Sequence, residues 1–296
     1  MSAADRERIR SLVIPPAWRD VWIAPESDAH LQATGIDDAG RKQYLYHARW
    51  RDVADAEKFR RLADFAPALV AVRQRVADDL RPLGLRKQGN ADVLCATAVR
   101  LIDGCLIRPG SRRRNGSTAS GATDLGGSDV IVDRGSVVLD FVGKSGVDQH
   151  VEVEDRALAR VLSELLDEAD DDAPLFRSGE DAIDERRLNA YIGEASRSDF
   201  TAKDFRTWGA TATVVGELAR ADPGVDPVEA SERAAIAAAA DALGNTVAVC
   251  RGSYVAPAAL AAFESGDLAR HWRASRRGKW LSRAERTTAR VLDDAR

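Results

Sequence analysis

The chain is poor in cysteine and tyrosine, has no long apolar run and carries no excess of positive charge. Three cysteines, Cys95, Cys105 and Cys250, cannot close a disulfide framework, and no Cys or His spacing suits zinc. They read as reduced thiols packed as small hydrophobes, as in a cytoplasmic protein. No stretch approaches the ~18–20 apolar residues of a membrane span. The start, MSAADRERIR, is charged and lacks the apolar core of a signal peptide. A cytoplasmic protein without membrane contact is therefore expected. There is no Gly-x-x-x-x-Gly-Lys-Ser/Thr phosphate loop, so neither a nucleotide nor a metal cofactor is expected. The formal net charge of −4 argues against a uniformly basic coat, although a local basic surface remains open.

What is present suits one large domain or two unequal ones: 296 residues, 45% hydrophobic and 30% charged. The charge is unevenly placed. Residues 164–185 hold ten acidic side chains and one arginine, Arg177. Residues 270–296 hold nine Lys or Arg and three acids. Arg112, Arg113 and Arg114 form a further basic knot. One face is thus available to phosphate while another stays acidic, although a charge run is equally the mark of a solvated surface.

The first 50 or so residues read as mixed and β-rich. Paired prolines in Ile14-Pro15-Pro16-Ala17-Trp18 forbid a helix interior. Val21-Trp22-Ile23 and Tyr44-Leu45-Tyr46 are strand candidates, and Asp37-Asp38-Ala39-Gly40 is a turn. From about Ala54 the pattern changes. Phe59, Leu62, Phe65, Leu69, Val72 and Val76 recur at helical spacing, which predicts one amphipathic helix. A domain boundary follows there, dividing residues 1–54 from 55–296. Residues 93–106 are apolar enough for a buried helix, and 112–129 read as loop. Residues 130–132, 137–142 and 149–153 predict a three-stranded antiparallel sheet with turns at 133–135 and 143–146. Helices are expected at 156–169, 184–196, 202–218, 227–243 and 257–264. The fold class is α+β: a small β-rich N-terminal domain followed by a mainly helical domain with a small antiparallel sheet.

Breaking a phosphodiester without a metal requires a nucleophile, cations for the non-bridging oxygens, and an acid for the departing oxygen. Arg108 lies at the end of the buried helix, before a loop. Lys144 sits at a hairpin tip between Gly143 and Gly146, whose small size permits close approach. Arg206 falls in the first turns of a helix, where phosphate is favoured. Tyr254 is one of four tyrosines and follows a polar, glycine-containing stretch. Taken singly, each also has an ordinary role. The arginines suit salt bridges, Lys144 a solvated turn, Tyr254 half-buried packing and Asn245 a helix cap. Tyr44 and Tyr46 suit packing on one strand face.

Their order is more informative. Ile14-Pro15-Pro16-Ala17-Trp18, His30-Leu31-Gln32 and Gly40-Arg41-Lys42-Gln43-Tyr44-Leu45-Tyr46-His47 are followed by Ile107-Arg108-x-Gly110 and Phe141-Val142-Gly143-Lys144-Ser145-Gly146. Then come Lys203-Asp204-Phe205-Arg206-Thr207-Trp208, Leu243-Gly244-Asn245-Thr246 and Arg251-x-Ser253-Tyr254. Over almost the whole chain this resembles the type IB DNA topoisomerases of bacteria and poxviruses. The resemblance implies a tyrosine recombinase/topoisomerase IB catalytic fold at 55–296 and a DNA-clamping domain at 1–54. It implies relaxation of double-stranded DNA by a monomer that clamps the duplex, working in the cytoplasm at the nucleoid without metal or ATP. By resemblance, Tyr254 is the nucleophile forming a 3′-phosphotyrosine. Arg108 and Arg206 clamp the scissile phosphate, Lys144 is the general acid, and Asn245 stands where other members have His. Gln43, Tyr44, Tyr46 and Lys203 are implied DNA contacts. Val247 departs from a common Pro, Pro109 from an apolar residue, and the loop after Arg112 lacks a tyrosine often found there. The rivals are a tyrosine recombinase, which usually has His where Lys203 stands, and a non-catalytic DNA-binding protein of the same fold.

Overall fold

A computed structural model of the chain describes residues 2–81, 90–110, 120–167, 174–178, 181–221 and 227–296. The Arg112–Arg114 knot, most of the first half of the loop expected at 112–129, and residues 168–173 and 179–180 of the acidic stretch lie outside the described residues. The chain divides into two units, Met1–Arg61 and Leu62–Arg296. No helix among the described residues is long and apolar enough to cross a membrane.

The first unit opens with a helix that the sequence reading did not anticipate, α1 (Ala3–Ser11). Its cause is a capping box. The Ser2 hydroxyl accepts from Asp5 N at 3.0 Å while the Asp5 carboxylate accepts from Ser2 N at 2.9 Å. The two expected strands are present as β1 (Arg19–Ile23) and β3 (Lys42–Tyr46). A third, β2 (Leu31–Ile36), runs antiparallel between them and holds the most buried positions. The turn at Asp37 forms as predicted, its carboxylate accepting the backbone N–H of Ala39 and of Arg41. Arg8 anchors α1 to the sheet through Gln32 at 3.1 Å and the Ala24 carbonyl at 2.7 Å.

The helix predicted from Ala54 through Val76 is instead two helices, α2 (Ala48–Leu62) and α3 (Phe65–Asp79). Pro67 is the reason. Without an N–H it fits the first turn of a helix but not the interior, so α3 must begin just before it. The buried helix α4 (Ala91–Cys105) follows. β4 (Val130–Asp133), β5 (Ser136–Val142) and β6 (Asp148–Glu154) form the expected antiparallel sheet in that order. Then come α5 (Arg156–Leu166), the short pair β7 (Arg177–Ser178) and β8 (Asp181–Ala182), and α6 (Glu185–Ser196). The long α7 (Ala202–Leu218) packs on α8 (Val228–Leu243). The chain ends in α9 (Val247–Ser253), α10 (Pro257–Glu264), α11 (Asp267–Ala274) and α12 (Arg283–Asp294). Of these four, only α10 was expected from the sequence. The fold is α+β, mainly helical with small antiparallel sheets.

α7 is the axis of the second unit. Trp208 and Phe205 from it meet Phe65, whose ring also takes the edge of Phe200 at 5.0 Å between centroids. Val214 and Val215 pack with Ile236, Leu243, Cys250 and Val255. All three cysteines are buried and free. Burial pushes the thiols of Cys95 and Cys105 up to about 12 and that of Cys250 to about 11, so they behave as inert hydrophobes.

A half-buried ion network ties the C-terminal helix to this body. Arg73 of α3 bonds Asp103 of α4 at 2.7 Å, Glu285 of α12 at 2.7 Å, and the carbonyl of Trp280. Burial pulls the Arg73 guanidinium down, but the two carboxylates outweigh it and hold the group above its usual range. Burial raises Glu285, yet Arg73 outweighs that and holds it below the usual carboxylate range. Because the folded pKa of Glu285 is lowered, the pair's stabilisation is present above the unfolded carboxylate pKa. It is lost as pH falls through the folded one. Arg73→Met should cost about 3 kcal/mol in urea unfolding near neutral pH, since it strands two partly desolvated carboxylates. A loss below about 1 kcal/mol, the size of an exposed pair, would show that the network does not hold α12.

Candidate active site

The site is built where helices end. α4 stops at Cys105, and Leu106 turns the chain in the left-handed region with φ of 53°. That conformation costs a non-glycine residue ~1–2 kcal/mol. Two contacts offset it: Leu106 N donates to Ile102 O at 2.9 Å, and its side chain fills the space over Gly209 of α7. A Cβ at position 209 would meet Leu106 Cδ2 at 2.3 Å. Arg108 was expected at the helix end but lies beyond it, outside any helix or strand. Its backbone is fixed instead by Ala122 N, which donates to Arg108 O at 2.8 Å, and by Thr123 N, which donates to Pro109 O at 2.9 Å. Pro109, a departure from the family pattern, therefore serves as an acceptor, a role that needs no N–H. Arg108 Nη2 donates to Asn245 Oδ1 at 2.7 Å.

Arg206 lies in the second turn of α7, after a capping box between Thr201 and Asp204, and is only 2% exposed. Its Nη1 donates to the Leu106 carbonyl and its Nη2 to the Leu243 carbonyl at 3.0 Å. These carbonyls belong to the C-terminal ends of α4 and α8, where helices leave unsatisfied acceptors bearing partial negative charge. Among the described residues no carboxylate pairs with Arg206 or Arg108. Burial pulls the Arg206 pKa below its usual value; Tyr254 opposes this and the Arg108 charge adds to it.

α8 closes with Gly244 in the left-handed region (φ 60°), and Asn245 N donates back to Ala240 O at 2.9 Å, so Asn245 is part of the helix cap. Its side chain also receives Arg108, so the two readings of Asn245 coexist. Val247 is the first residue of α9. Proline is favoured at that position because its fixed φ suits a helix start, so Val247 leaves the turn intact. Tyr254 follows α9, and the Arg206 guanidinium stands 5.5 Å from the centroid of its ring. Its backbone is held by Thr211, a fully buried residue of α7. The Thr211 hydroxyl has its one proton between Thr207 O at 2.9 Å and Tyr254 O at 3.0 Å, and accepts from Ala256 N at 3.1 Å. Nothing in the sequence distinguishes Thr211 from an ordinary helical threonine.

Arg108, Arg206, Asn245 and Tyr254 are thus brought together. Lys144 is exposed on a 3-10 turn (Lys144–Gly146) between β5 and β6, with no side-chain partner among the described residues. Lys203 is exposed on α7, one turn before Arg206. In the N-terminal unit Tyr44 and Tyr46 are 49% and 37% exposed and stack at 6.4 Å, with Lys42 over the Tyr44 ring at 5.8 Å. Gln43 does not share that face. It alternates to the other side of β3, where Nε2 donates to Asp37 at 2.8 Å.

Chemically the centre is rich in donors and poor in acceptors. Two guanidinium groups lack a counter-charge, and Arg206 Nε and Asn245 Nδ2 are buried without a hydrogen-bond partner among the described residues. Such donors cost ~1–3 kcal/mol each when unpaired. An anion with several oxygens satisfies them at once, and a phosphodiester is such a group.

Comparison with known proteins agrees with this chemistry. The family model described as "Eukaryotic DNA topoisomerase I, catalytic core" matches residues 47–259. A second, "Bacterial DNA topoisomerase IB, N-terminal domain", matches residues 1–37. The chain is 32% identical over 221 residues to the DNA topoisomerase 1B of Acanthamoeba polyphaga mimivirus. The shared stretch covers 71% of this chain and 64% of the viral protein, so the chain spans less than two thirds of that relative's length.

If the two arginines form an anion site, sulfate at fixed ionic strength should raise the thermal unfolding midpoint of the wild type more than that of Arg108→Met. Ligand at 100 times its Kd adds ~2.7 kcal/mol to stability. Sulfate also stabilises proteins in general by exclusion from their surfaces, so the difference between the two proteins is the readout. An equal rise in both would remove the anion site.

Proposed function

The chain belongs to the type IB DNA topoisomerase family, and on that premise we propose that it relaxes supercoiled double-stranded DNA by cutting one strand, allowing rotation, and resealing it. One observation carries the reading. Arg108 and Arg206, with no carboxylate between them, stand beside Tyr254 and the unpaired amide of Asn245.

In this reading the scissile phosphate accepts from Arg108, Arg206 and Asn245 Nδ2. Tyr254 Oη attacks phosphorus, releasing its proton to solvent, and a phosphotyrosine forms on the 3′ side. The bond from phosphorus to the 5′ oxygen breaks, and Lys144 gives that oxygen a proton. A phenol in water ionises only near ~10, so the adjoining cations must favour the charge that develops on the Tyr254 oxygen during attack. They also offset the charge on the phosphate oxygens. The phosphotyrosine keeps the energy of the broken bond. The 5′-hydroxyl can therefore reverse the step, and no ATP is needed. Both signs of supercoil relax, because only stored torsion drives rotation.

The domain roles follow the same reading. Residues 1–54 supply duplex contacts, with Tyr44 and Tyr46 on an exposed strand face and Lys42 beside them. Gln43, held by Asp37, supports that strand and reaches DNA only if its bond to Asp37 is released. Residues 55–296 carry the chemistry, with Lys203 beside the arginine-bearing turn. The protein acts as a monomer on the duplex, in the cytoplasm at the nucleoid.

Tyr254→Phe removes one oxygen. It should abolish plasmid relaxation and covalent trapping while duplex affinity stays within a few tenths of a kcal/mol of wild type, the usual range for a change away from the binding contacts. Peptide mapping of the trapped adduct should give Tyr254. An adduct on Tyr44, Tyr46 or Tyr191, or on a 5′-phosphate, would sink the assignment. Relaxation of positively and negatively supercoiled plasmid should also persist in excess EDTA without ATP; its complete loss there would overturn the proposed chemistry.

A further inference from the structure

Lys144 poses a positional problem. It is exposed, its turn contains Gly143 and Gly146, and its side chain has no partner among the described residues. A proton donor must be held within hydrogen-bond reach of the departing oxygen, and a displacement of ~1 Å can cost ~10²-fold in rate. The backbone closes the turn through Gly143 N, which donates to Val147 O at 2.8 Å. That bond sets the shape of the turn. It does not set where the turn sits relative to Arg108, Arg206 and Asn245.

Gln149 of β6 supplies that relation. Its stem lies over Gly143: a Cβ at 143 would meet Gln149 Cγ at 2.9 Å and Cδ at 3.4 Å. Its amide lies over Gly244: a Cβ there would meet Oε1 at 2.4 Å and Nε2 at 3.0 Å. Gly143 immediately precedes Lys144. Gly244 stands between Leu243, whose carbonyl takes Arg206, and Asn245, whose side chain takes Arg108. One half-buried side chain therefore spans from the base of the lysine turn to the turn that joins both arginines. The two glycines leave it room at each end. A Cβ at either position would press into Gln149, so its stem and amide pack directly against both turns and fill the space between the hairpin and the α8 cap. No hydrogen bond of Gln149 crosses to the α8 cap; its amide nitrogen donates to Asp148 O at 3.1 Å. The spacing is held by contact, which is what a positioning role needs and a DNA-reading role does not.

The geometry points to Gln149 as the positioning residue that sets Lys144 against the departing 5′ oxygen. It touches neither the nucleophile nor the arginines and acts through the lysine turn. This rests on Lys144 being the general acid.

The test compares two DNA substrates under single turnover, one with oxygen and one with sulfur at the bridging 5′ position. Sulfur leaves with its electron pair as a thiolate and needs no proton. Gln149→Ala should slow cleavage of the oxygen substrate by roughly 10²-fold and cleave the sulfur substrate near the wild-type rate. Lys144→Ala should show the same pattern. The double variant should be no slower on oxygen than Lys144→Ala alone, because the two residues act as one unit. Non-covalent duplex affinity should not change. Gln149→Met, which fills the same space by contact, should keep the oxygen-substrate rate near wild type, so that slowing in Gln149→Ala at a temperature below its unfolding midpoint reports lost spacing. Wild-type cleavage of the oxygen substrate by Gln149→Ala would overturn the inference. So would equal slowing on both substrates while Lys144→Ala is rescued by sulfur. If sulfur fails to rescue Lys144→Ala itself, the general-acid reading falls, and the inference falls with it.

Discussion

A buried arginine that has no acid is the constraint on which the centre depends. Transferring a guanidinium out of water is costly unless its donors are met. Arg206 meets them with the carbonyls of Leu106 and Leu243. Each lies at the C-terminal end of a helix, where partial negative charge collects. That choice stabilises the cation without neutralising it. A carboxylate in the same place would bind it more strongly and cancel its charge. The depressed pKa of Arg206, set chiefly by burial, is the sign of this incomplete compensation. The same two bonds draw the ends of α4 and α8 onto α7. They account for the strained turn at Leu106, whose carbonyl must face the arginine.

Arg206 and Tyr254 are registered on one another through a single hydroxyl on α7. Thr211 stands five residues along α7 from Arg206, and its hydroxyl meets both the Tyr254 carbonyl and the Ala256 N–H. The tyrosine's main chain is therefore registered on the helix that carries the arginine, and its side chain lies against the Arg206 guanidinium. Asn245 plays a similar double part. Its backbone closes α8 and its Oδ1 fixes Arg108, which leaves its amide N–H groups for a ligand.

The sequence disclosed the residues that cluster at the candidate site and concealed their supports. Arg108, Arg206, Asn245 and Tyr254 were recognisable because each sits in a short run whose order is distinctive, although 98 residues separate the two arginines. The small sheet and α7 were legible from alternation and periodicity. Thr211 and Gln149 were not, because their roles arise from contacts between segments distant in sequence, and neither residue type is unusual where it stands. The merged prediction of α2 and α3 failed for a local reason: apolar spacing continued across a break that Pro67 required. α1 was overlooked because it is charged and buries no residue, and α12 because charged residues outnumber the few it buries, Thr287, Thr288, Val291 and Leu292. Their capping boxes, Ser2 with Asp5 and Ser282 with Glu285, were the available signal. Gln43 shows the limit of motif reading. It shares a run with Tyr44 and Tyr46, but strand alternation sends it to the opposite face.

Net charge misleads for the same structural reason. The chain is acidic overall, yet it belongs to a family that handles a polyanion. The distinction lies in which arginines are already engaged. Arg41, Arg75, Arg100 and Arg220 pair with Asp37, Asp79, Asp155 and Glu217. In the basic C-terminal stretch Arg270 pairs with Asp267 and Asp294, and Arg296 with Asp64. These acids offset arginines that build the fold. Arg108 and Arg206 are held by neutral acceptors, and no carboxylate among the described residues pairs with either, whatever the total charge. Screening sharpens the contrast, since exposed pairs fade within a Debye length of ~8 Å at physiological salt while buried cations do not. The two arginines without a carboxylate partner lie where α4, α8 and α9 end, and Tyr254 stands there too.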